Sequence, residues 1–248
     1  MARFVVSSEY ERDIVEKYFE YDREDIMITG LARWDVLENT ASDEDKQILL
    51  MPTWRIWLEY ASDELFRQSE YCQNYKSLLT DKKLLRLLEE EQITVYFYIH
   101  PKFRAYIEEF HVDNPYIKLI PFGTRPLNEL LMSCHMLITD YSSVAWDVYH
   151  QGKPIVFYPF DLQTYERAQG TYMDMEKEAF GDVVHSHDEL IQTVYEYVKN
   201  GFAEKQEYAD RREYLLPYRD HDNSRRIYDQ IVRADLPSKL KAKLKQGI

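Results

Sequence analysis

Two features of the sequence predict an α/β fold built around a parallel sheet. Short apolar runs of strand length alternate along the chain with longer segments whose apolar residues recur at helical spacing. Several of the short runs end at a proline or lead into a loop of polar residues, as strands of open sheets do. Strand–helix alternation at this spacing is typical of parallel strands joined by crossover helices, which cover both faces of the sheet.

The predicted elements follow one another regularly. Strands are predicted at 4–6, 26–28, 48–51, 94–99, 116–120, 136–139 and 155–158; helices are predicted at 9–19, after Arg33, and at 62–91, 103–110, 127–134 and 143–150, with mostly helical chain from about 161. The strand at 94–99 is the clearest, because β-branched and aromatic residues fill it. Ligands of parallel sheets bind beyond the carboxyl ends of the strands. The loops after Met51, Ile99, Ile120 and Thr139 are therefore expected at one cleft.

The length of 248 residues and the hydrophobic content of 45% allow one large α/β domain or two small ones. We predict one domain over residues 1–234 and a basic tail over 235–248. A solvated terminal helix accounts for the tail better than attraction to anionic lipid does, because its apolar face is thin.

Charge and composition exclude several classes of protein. A net charge of −13 argues against broad nucleic-acid binding, which needs a positive surface. Cys72 and Cys134 are too few for a disulfide framework or a four-thiolate zinc site. No apolar run approaches the ~20 residues that span a bilayer, and the first residues lack signal-peptide features. We therefore expect a cytoplasmic protein, with peripheral attachment to the inner face of the cell membrane as a second option.

The strongest local signal is the strand end at Thr139, followed by Asp140 and the pair Ser142 and Ser143 at the start of a helix. Two hydroxyls beside unpaired backbone N–H groups can donate to a phosphate. The alternative is that one serine simply caps the helix. From the motif alone, both interpretations stay open.

Two other strand ends carry basic side chains. His100 follows the predicted strand at 94–99, where it could donate to a phosphate oxygen, although a lone loop histidine is more often structural. Thr53 and Arg55 follow Met51, and arginine suits bidentate phosphate contact. The alternative for Arg55 is stacking at the surface on Trp54 or Trp57.

Two candidates are weaker. Arg33 lies in the loop that begins at Gly30, just before a short helix. Asp147 lies one turn into the helix after the serine pair, where it could accept bonds from ribose hydroxyls or remain a solvated carboxylate. The sequence contains no G-x-G-x-x-G fingerprint, no P-loop and no H-E-x-x-H zinc motif.

Taken in order, these segments resemble the CDP-glycerol glycerophosphotransferase family, which includes the teichoic acid polymerases and primases. The segments that carry the resemblance are Ser7–Glu11, Gly30–Leu37, Met51–Arg55, His100–Pro101, Ile138–Asp147, Gly152–Pro154 and Phe157–Tyr158, then Asp161, Leu162, Tyr165, Arg167, Gly170 and Tyr172, and finally Asp220, Ser224 and Arg226. The resemblance runs over residues 3 to 234. One departure is His221, which stands where the family has a glycine.

The resemblance implies a Rossmann-like sheet that forms the C-terminal, donor-binding half of a GT-B fold. The family's N-terminal half, which carries the acceptor site, has no counterpart here. A missing acceptor domain or a partner chain is therefore implied, together with a polymer acceptor on a lipid carrier. No nucleic acid is implied as a partner.

The resemblance also implies the reaction: an alditol phosphate passes from CDP-glycerol or CDP-ribitol to a growing polymer, and CMP leaves. The implied catalytic residues are His100 and Arg55. The implied donor-binding residues are Arg33, Thr53, Pro121, Phe122, Gly123, Thr139, Asp140, Ser142, Ser143 and Asp147, with Asp147 at the ribose and 121–123 beside the cytosine. No metal or other cofactor is implied. The alternatives are a CMP-sugar glycosyltransferase of capsule synthesis and a non-catalytic nucleotide-binding module.

Overall fold

The computed structural model describes residues 3–233, which form two compact units. The first unit joins residues 3–37 to residues 210–233, and the second contains residues 38–209. The described part of the predicted domain over 1–234 is divided between these two units, because residues 3–37 pack with residues 210–233. The predicted tail at 235–248 lies outside the described residues.

The first unit begins with a strand–helix–strand segment. Strand β1 (Phe4–Val6), helix α1 (Glu9–Phe19) and strand β2 (Ile26–Ile28) follow one another, and the strands pair in parallel. The cluster of buried apolar residues between them is small, consisting of Val6, Val15 and Ile26. All three elements were predicted from the sequence within these bounds.

The second unit contains a six-stranded parallel sheet. Its strands are β3 (Lys46–Leu50), β4 (Ile93–Tyr98), β5 (Ile117–Ile120), β6 (Met136–Thr139), β7 (Ile155–Phe157) and β8 (Asp182–Val183). They lie in the order β5-β4-β3-β6-β7-β8. The parallel α/β fold is confirmed. Strand β8 was not predicted, because two half-buried residues are too few to give a pattern.

The helices of this unit connect the strands. They are α2 (Asp63–Gln68), α3 (Glu70–Leu79), α4 (Lys82–Glu91), α5 (Leu127–Ser133), α6 (Val144–His150), α7 (Leu162–Ala168), α8 (Met175–Glu178) and α9 (His187–Lys199). The predicted helix at 62–91 is three helices, because the side chains of Ser69 and Asp81 accept backbone N–H groups and start α3 and α4. The predicted helix at 103–110 is a 3₁₀ helix that spans Pro101–Phe110.

The winding of the sheet defines where a ligand would bind. From β3 the chain moves outward through β4 to β5, then returns to β6 on the other side of β3 and continues to β8. Right-handed crossovers place the helices of the two halves on opposite faces of the sheet. Such a doubly wound sheet has its switch point between β3 and β6, beyond whose carboxyl ends ligands characteristically bind.

The chain returns to the first unit through α10 (Gln206–Leu215) and ends its described part with α11 (Asn223–Arg233). The Asp35 carboxylate accepts the backbone N–H groups of Asn223 at 2.8 Å and Ser224 at 2.7 Å, and so caps α11. Gly30 has a φ of +75° and lies against the Asn223 side chain. Within residues 3–233, no helix is both long and apolar enough to cross a bilayer.

Candidate functional site

The carboxyl ends of β3, β4, β5 and β6 lie along one edge of the sheet, since all four strands are parallel. The segments that leave this edge are 51–55, 99–100, 121–124 and 140–143. The prediction that these four loops share one edge is confirmed. Each carries at least one of the predicted site residues.

Arg55 is a fully buried charged group at this edge, with no exposed surface. Its Nε and Nη2 donate to the two carboxylate oxygens of Asp161, at 2.7 and 3.0 Å. Nη2 also lies 2.8 Å from Oδ2 of Asp140, and Nη1 donates to the carbonyl of Thr53 at 2.6 Å. Burial alone would lower the pKa of Arg55, but the charges of Asp140 and Asp161 outweigh it and hold that pKa well above its usual range.

Aromatic rings surround this guanidinium. Its Cζ lies 5.0 to 5.7 Å from the ring centroids of Tyr71, Tyr141, Phe160 and Tyr165. Burial excludes the surface-stacking alternative for Arg55. The side chain ties together the loops after β3, β6 and β7 through Thr53, Asp140 and Asp161, which take four of its five N–H groups. A phosphate contact of Arg55 remains a prediction.

Asp140 and Thr139 belong to the same scaffold. Oδ1 of Asp140 accepts the backbone N–H groups of Thr53 at 2.8 Å and Tyr141 at 2.6 Å, and Oδ2 accepts the hydroxyl of Tyr75 at 3.0 Å. The Thr139 hydroxyl donates to a carbonyl of the neighbouring strand's loop at 2.6 Å. Both side chains are fully buried. These hydrogen bonds position the loops, and a contact of either residue with the donor remains a prediction.

Thr53 contributes mainly through its backbone. Its N–H is held by Asp140, and its carbonyl accepts from Arg55. Its hydroxyl is buried and has no hydrogen-bond partner among the described residues. A contact between this hydroxyl and a ligand remains a prediction.

His100 is half-buried beside this scaffold. Its ring stacks on Trp54, with centroids 5.9 Å apart and an angle of 29° between the planes. Nδ1 accepts the backbone N–H of Lys102 at 3.2 Å, which leaves Nε2 to carry the proton of the neutral ring. Burial, followed by the positive charge of Lys102, lowers the pKa of His100.

Ser142 and Ser143 lie at the loop that leads into α6. Ser142 is partly exposed and Ser143 is exposed. The Ser143 side chain makes no capping hydrogen bond to the helix. The capping alternative therefore does not account for Ser143.

The remaining candidates differ in exposure. Asp147 is 7% exposed within α6, so a ribose contact remains a prediction. Pro121, Phe122 and Gly123 form an exposed turn, in which Gly123 has a φ of +85° and open space around it. Arg33 belongs to the first unit, where it is exposed and its guanidinium lies 5.8 Å from the Trp34 ring centroid.

Several members of the scaffold were missed by sequence reasoning about the site. Asp161 lies four residues after the end of β7, whereas Asp140 directly follows β6, so its position was a weaker signal. Tyr71 and Tyr75 gave no signal, because neither follows a strand and the sequence contains 21 tyrosines. Tyr141 lies in the segment after β6, but no role was predicted for it. Among residues 3–233, no cluster of three or more His, Cys, Asp or Glu side chains could hold a metal ion.

Residues 2–233 match the family described as CDP-Glycerol:Poly(glycerophosphate) glycerophosphotransferase. The chain belongs to this family. It is 30% identical over 233 residues to the minor teichoic acid biosynthesis protein GgaB of Bacillus subtilis, a match that covers 90% of this chain and 25% of GgaB. It is 28% identical to the teichoic acid poly(ribitol-phosphate) polymerase of Bacillus spizizenii, with 93% of this chain and 37% of that protein covered.

Solved structures confirm the predicted fold class. The wall teichoic acid polymerase TagF superposes with a TM-score of 0.70 at 21% identity, over 94% of this chain and 58% of the TagF chain. UDP-GlcNAc 2-epimerase from Neisseria meningitidis superposes with a TM-score of 0.56 at 15% identity, over 93% of this chain and 61% of the epimerase chain. The family member therefore has a GT-B-like α/β fold and spans only part of the length of its relatives.

Proposed function

We propose that this chain binds a CDP-alditol at the carboxyl edge of its six-stranded sheet. There it takes part in the transfer of glycerol phosphate or ribitol phosphate to a teichoic-acid-like polymer. Family membership supports the donor class, and relatives named for glycerol phosphate and for ribitol phosphate support both alditols. The observation that carries the proposal is the placement of His100 and the serine pair on either side of the switch point.

The spacing of these groups suits a diphosphate. His100 follows β4 and the serines follow β6, with β3 between them. Strands two positions apart are separated by roughly 10 Å. A diphosphate that accepts a hydrogen bond of about 2.9 Å at each end bridges a gap of this size.

The reaction needs positioning and charge stabilisation more than covalent help from the protein. An acceptor hydroxyl attacks the phosphorus that bears the alditol, the bond from that phosphorus to the CMP oxygen breaks, and the CMP phosphate takes the electron pair. Nε2–H of His100 and the hydroxyls of Ser142 and Ser143 would donate to the oxygens that gain charge. Asp147 would hold the ribose, and residues 121–123 would flank the cytosine.

The acceptor side requires further protein. Within residues 3–37 and 210–233, the first unit has two strands and a buried apolar cluster of Val6, Val15 and Ile26, which is small for an independently stable unit. Further chain, from the same polypeptide or from a partner, would complete that unit and supply the acceptor site. A polymer acceptor on a lipid carrier would place the reaction at the inner face of the cell membrane.

Calorimetric titration tests the donor class. The protein is titrated with CDP-glycerol, CDP-ribitol, CMP-sialic acid and UDP-glucose, with and without magnesium. We expect selective binding of a CDP-alditol. Preference for CMP-sialic acid would favour a CMP-sugar glycosyltransferase instead, and binding of none of the four would contradict a complete donor site in this chain.

A matched pair of histidine variants locates the site. His100→Ala should weaken CDP-alditol binding by more than ~1 kcal/mol, the usual scale for a hydrogen bond to a charged group. His111→Ala is the control, because His111 is an exposed histidine at the other end of the same 3₁₀ helix. Equal affinities in both variants would remove His100 from the site.

A further inference from the structure

The His100 ring is held by two neighbours whose arrangement the proposed function does not explain. Trp54 stacks on the ring from the loop after β3, and the Lys102 backbone N–H donates to Nδ1 from the 3₁₀ helix. An imidazole confined by a stacking partner on its face and a donor at one nitrogen has a single orientation. It also has a single neutral tautomer, with the proton on Nε2.

Lys102 adds a charge that is itself fixed. Its Nζ lies 3.7 Å from the Trp54 ring centroid and 2.6 Å from Oε1 of Glu59. The ammonium is therefore held against the same indole on which His100 stacks. Trp54 thus links the position of the cation to the position of the imidazole.

The charged groups around His100 come from two elements. Lys102 belongs to the 3₁₀ helix that His100 precedes, and Glu59 follows the 3₁₀ helix Ile56–Leu58. Burial is the largest influence on the His100 pKa and lowers it, the positive charge of Lys102 lowers it further, and the negative charge of Glu59 opposes both. Burial and Lys102 outweigh Glu59, so the neutral ring is favoured near neutral pH.

We infer that Trp54 and Lys102 are positioning residues that hold His100 neutral, with Nε2–H directed to the donor phosphate as a hydrogen-bond donor. This inference rests on the proposed function for the identity of the ligand. It restricts the role of His100, because Nε2 carries the ring proton and the Nδ1 lone pair already accepts the Lys102 N–H, so neither nitrogen is free to accept a proton. The proton of the acceptor hydroxyl must therefore go to another group.

Long-range ¹H–¹⁵N spectra of the histidine rings test the positioning without any ligand. The His100 signals are assigned by their loss in His100→Ala. In the unaltered protein we expect the Nε2–H tautomer and a titration midpoint below about 6.5, the ordinary histidine value. A ring protonated on Nδ1 when neutral, or a midpoint above that value, would overturn the inference.

Matched variants separate charge from packing. Lys102→Met should raise the midpoint on the order of half a pH unit, the effect of one partly solvated charge on its neighbour, whereas Lys102→Arg should leave it nearly unchanged. Trp54→Leu should produce a mixture of tautomers, and Trp54→Phe, which keeps a stacking ring, should restore the single form. An unchanged midpoint in Lys102→Met would refute the role of Lys102. A single Nε2–H tautomer in Trp54→Leu would refute the role of Trp54.

Addition of CDP-glycerol then tests the contact with the ligand. The Nε2 resonance should shift while Nδ1 keeps its acceptor shift, and Trp54→Leu should bind about fivefold more weakly than Trp54→Phe, as for one weakened hydrogen bond. If CDP-glycerol binds but the two Trp54 variants bind it equally, the inference fails and the proposed function stands. If no protein binds CDP-glycerol or CDP-ribitol, the proposed function fails, and with it the phosphate contact inferred here.

Discussion

Arg55 and Asp161, which lie 106 positions apart in the sequence, are joined by two parallel hydrogen bonds of 2.7 and 3.0 Å. Asp140, in the loop after β6, also lies 2.8 Å from Nη2 of Arg55, so one guanidinium contacts two carboxylates. Because all three side chains are buried, each charge depends on the others to offset its loss of hydration. The geometry of the edge that carries His100 and the serines therefore depends on this cluster.

Replacement of Arg55 by methionine should destabilise the protein by about 3–5 kcal/mol, because two carboxylates would be left buried without their cation. Urea unfolding measures the loss. Arg104→Met, which alters an exposed arginine, is the control and should cost less than about 0.5 kcal/mol. A stable Arg55→Met protein with weakened donor binding would support the phosphate role predicted for Arg55.

Tyr75 and Tyr71 provide a contrast within one helix. Both rings are buried, but the Tyr75 hydroxyl donates to Asp140 at 3.0 Å, whereas the Tyr71 hydroxyl has no hydrogen-bond partner among the described residues. Tyr75→Phe should cost about 1–2 kcal/mol in unfolding free energy, and Tyr71→Phe should be neutral or stabilising. The reverse order of stabilities would mean that the hydrogen bonds are assigned to the wrong tyrosine.

Gly30 should not tolerate a side chain. A Cβ at this position would lie 1.9 Å from Oδ1 of Asn223, in addition to the strain of a φ of +75°. Gly201 has a similar φ of +63° with nothing within 4 Å, so Gly201→Ala measures the backbone strain alone, about 1–2 kcal/mol. Thermal unfolding should show a larger loss for Gly30→Ala, and equal losses would argue against the close approach.

Lys153 should make stability depend on pH in the alkaline range. Its Nζ donates to the carbonyls of Leu131 at 2.9 Å and Met132 at 2.6 Å, and burial lowers its pKa to about 8. Between about pH 8 and 10.5 the unfolded chain binds more protons at Lys153 than the folded chain, so the unfolding free energy rises with pH in that window. The stabilising contribution is complete above the unfolded pKa and is lost as the pH falls to about 8.

Urea unfolding at several pH values compares the unaltered protein with Lys153→Met, which cannot titrate there. Between about pH 8 and 10.5, the difference in unfolding free energy between the two proteins should change by about 1–3 kcal/mol. As the pH rises, the unaltered protein should gain stability relative to Lys153→Met. Parallel curves would show that the two carbonyls keep the ammonium charged in the fold.

Ser142→Ala and Ser143→Ala should each weaken CDP-alditol binding roughly ten- to a hundredfold, since a hydrogen bond to a charged phosphate contributes about 1.5–3 kcal/mol. Their melting temperatures should stay close to that of the unaltered protein, because neither serine is buried. Ser77→Ala on the exposed surface of α3 is the control for both measurements. If the serine variants bind the donor normally, the ligand lies elsewhere along the edge.

Local patterns in the sequence were sufficient to predict most of the strands and helices. Strands such as β4 and β6 are short, buried and bounded by polar turns, so their apolar runs are visible without tertiary information. Strand β8 has two residues and takes its conformation from pairing with β7. The division into two units could not be predicted from local patterns either, because it depends on contacts between residues 3–37 and 210–233.

The sequence predicted which loops share one edge of the sheet, but not the hydrogen bonds and ion pairs that each residue makes there. Strand ends identified the loops of His100, Ser142 and Arg55, because topology alone brings those loops to one edge. Spacing cannot distinguish an arginine that meets a ligand from one that meets two carboxylates, which only the packing of Asp161 from beyond β7 decides. Trp54 was visible in the sequence, yet its contact with His100 depends on β3 and β4 being neighbours.

The cap that Asp35 places on α11 has a consequence for the order of events during synthesis. Its two hydrogen bonds join residues 188 and 189 positions apart, so the first unit cannot close until the ribosome has produced nearly all of the described chain. The second unit has its whole sequence available earlier. Residues 3–37 are therefore among the last of the described residues to reach their final contacts, and a ribosome that stalls before residue 223 leaves them without the helix that caps against Asp35.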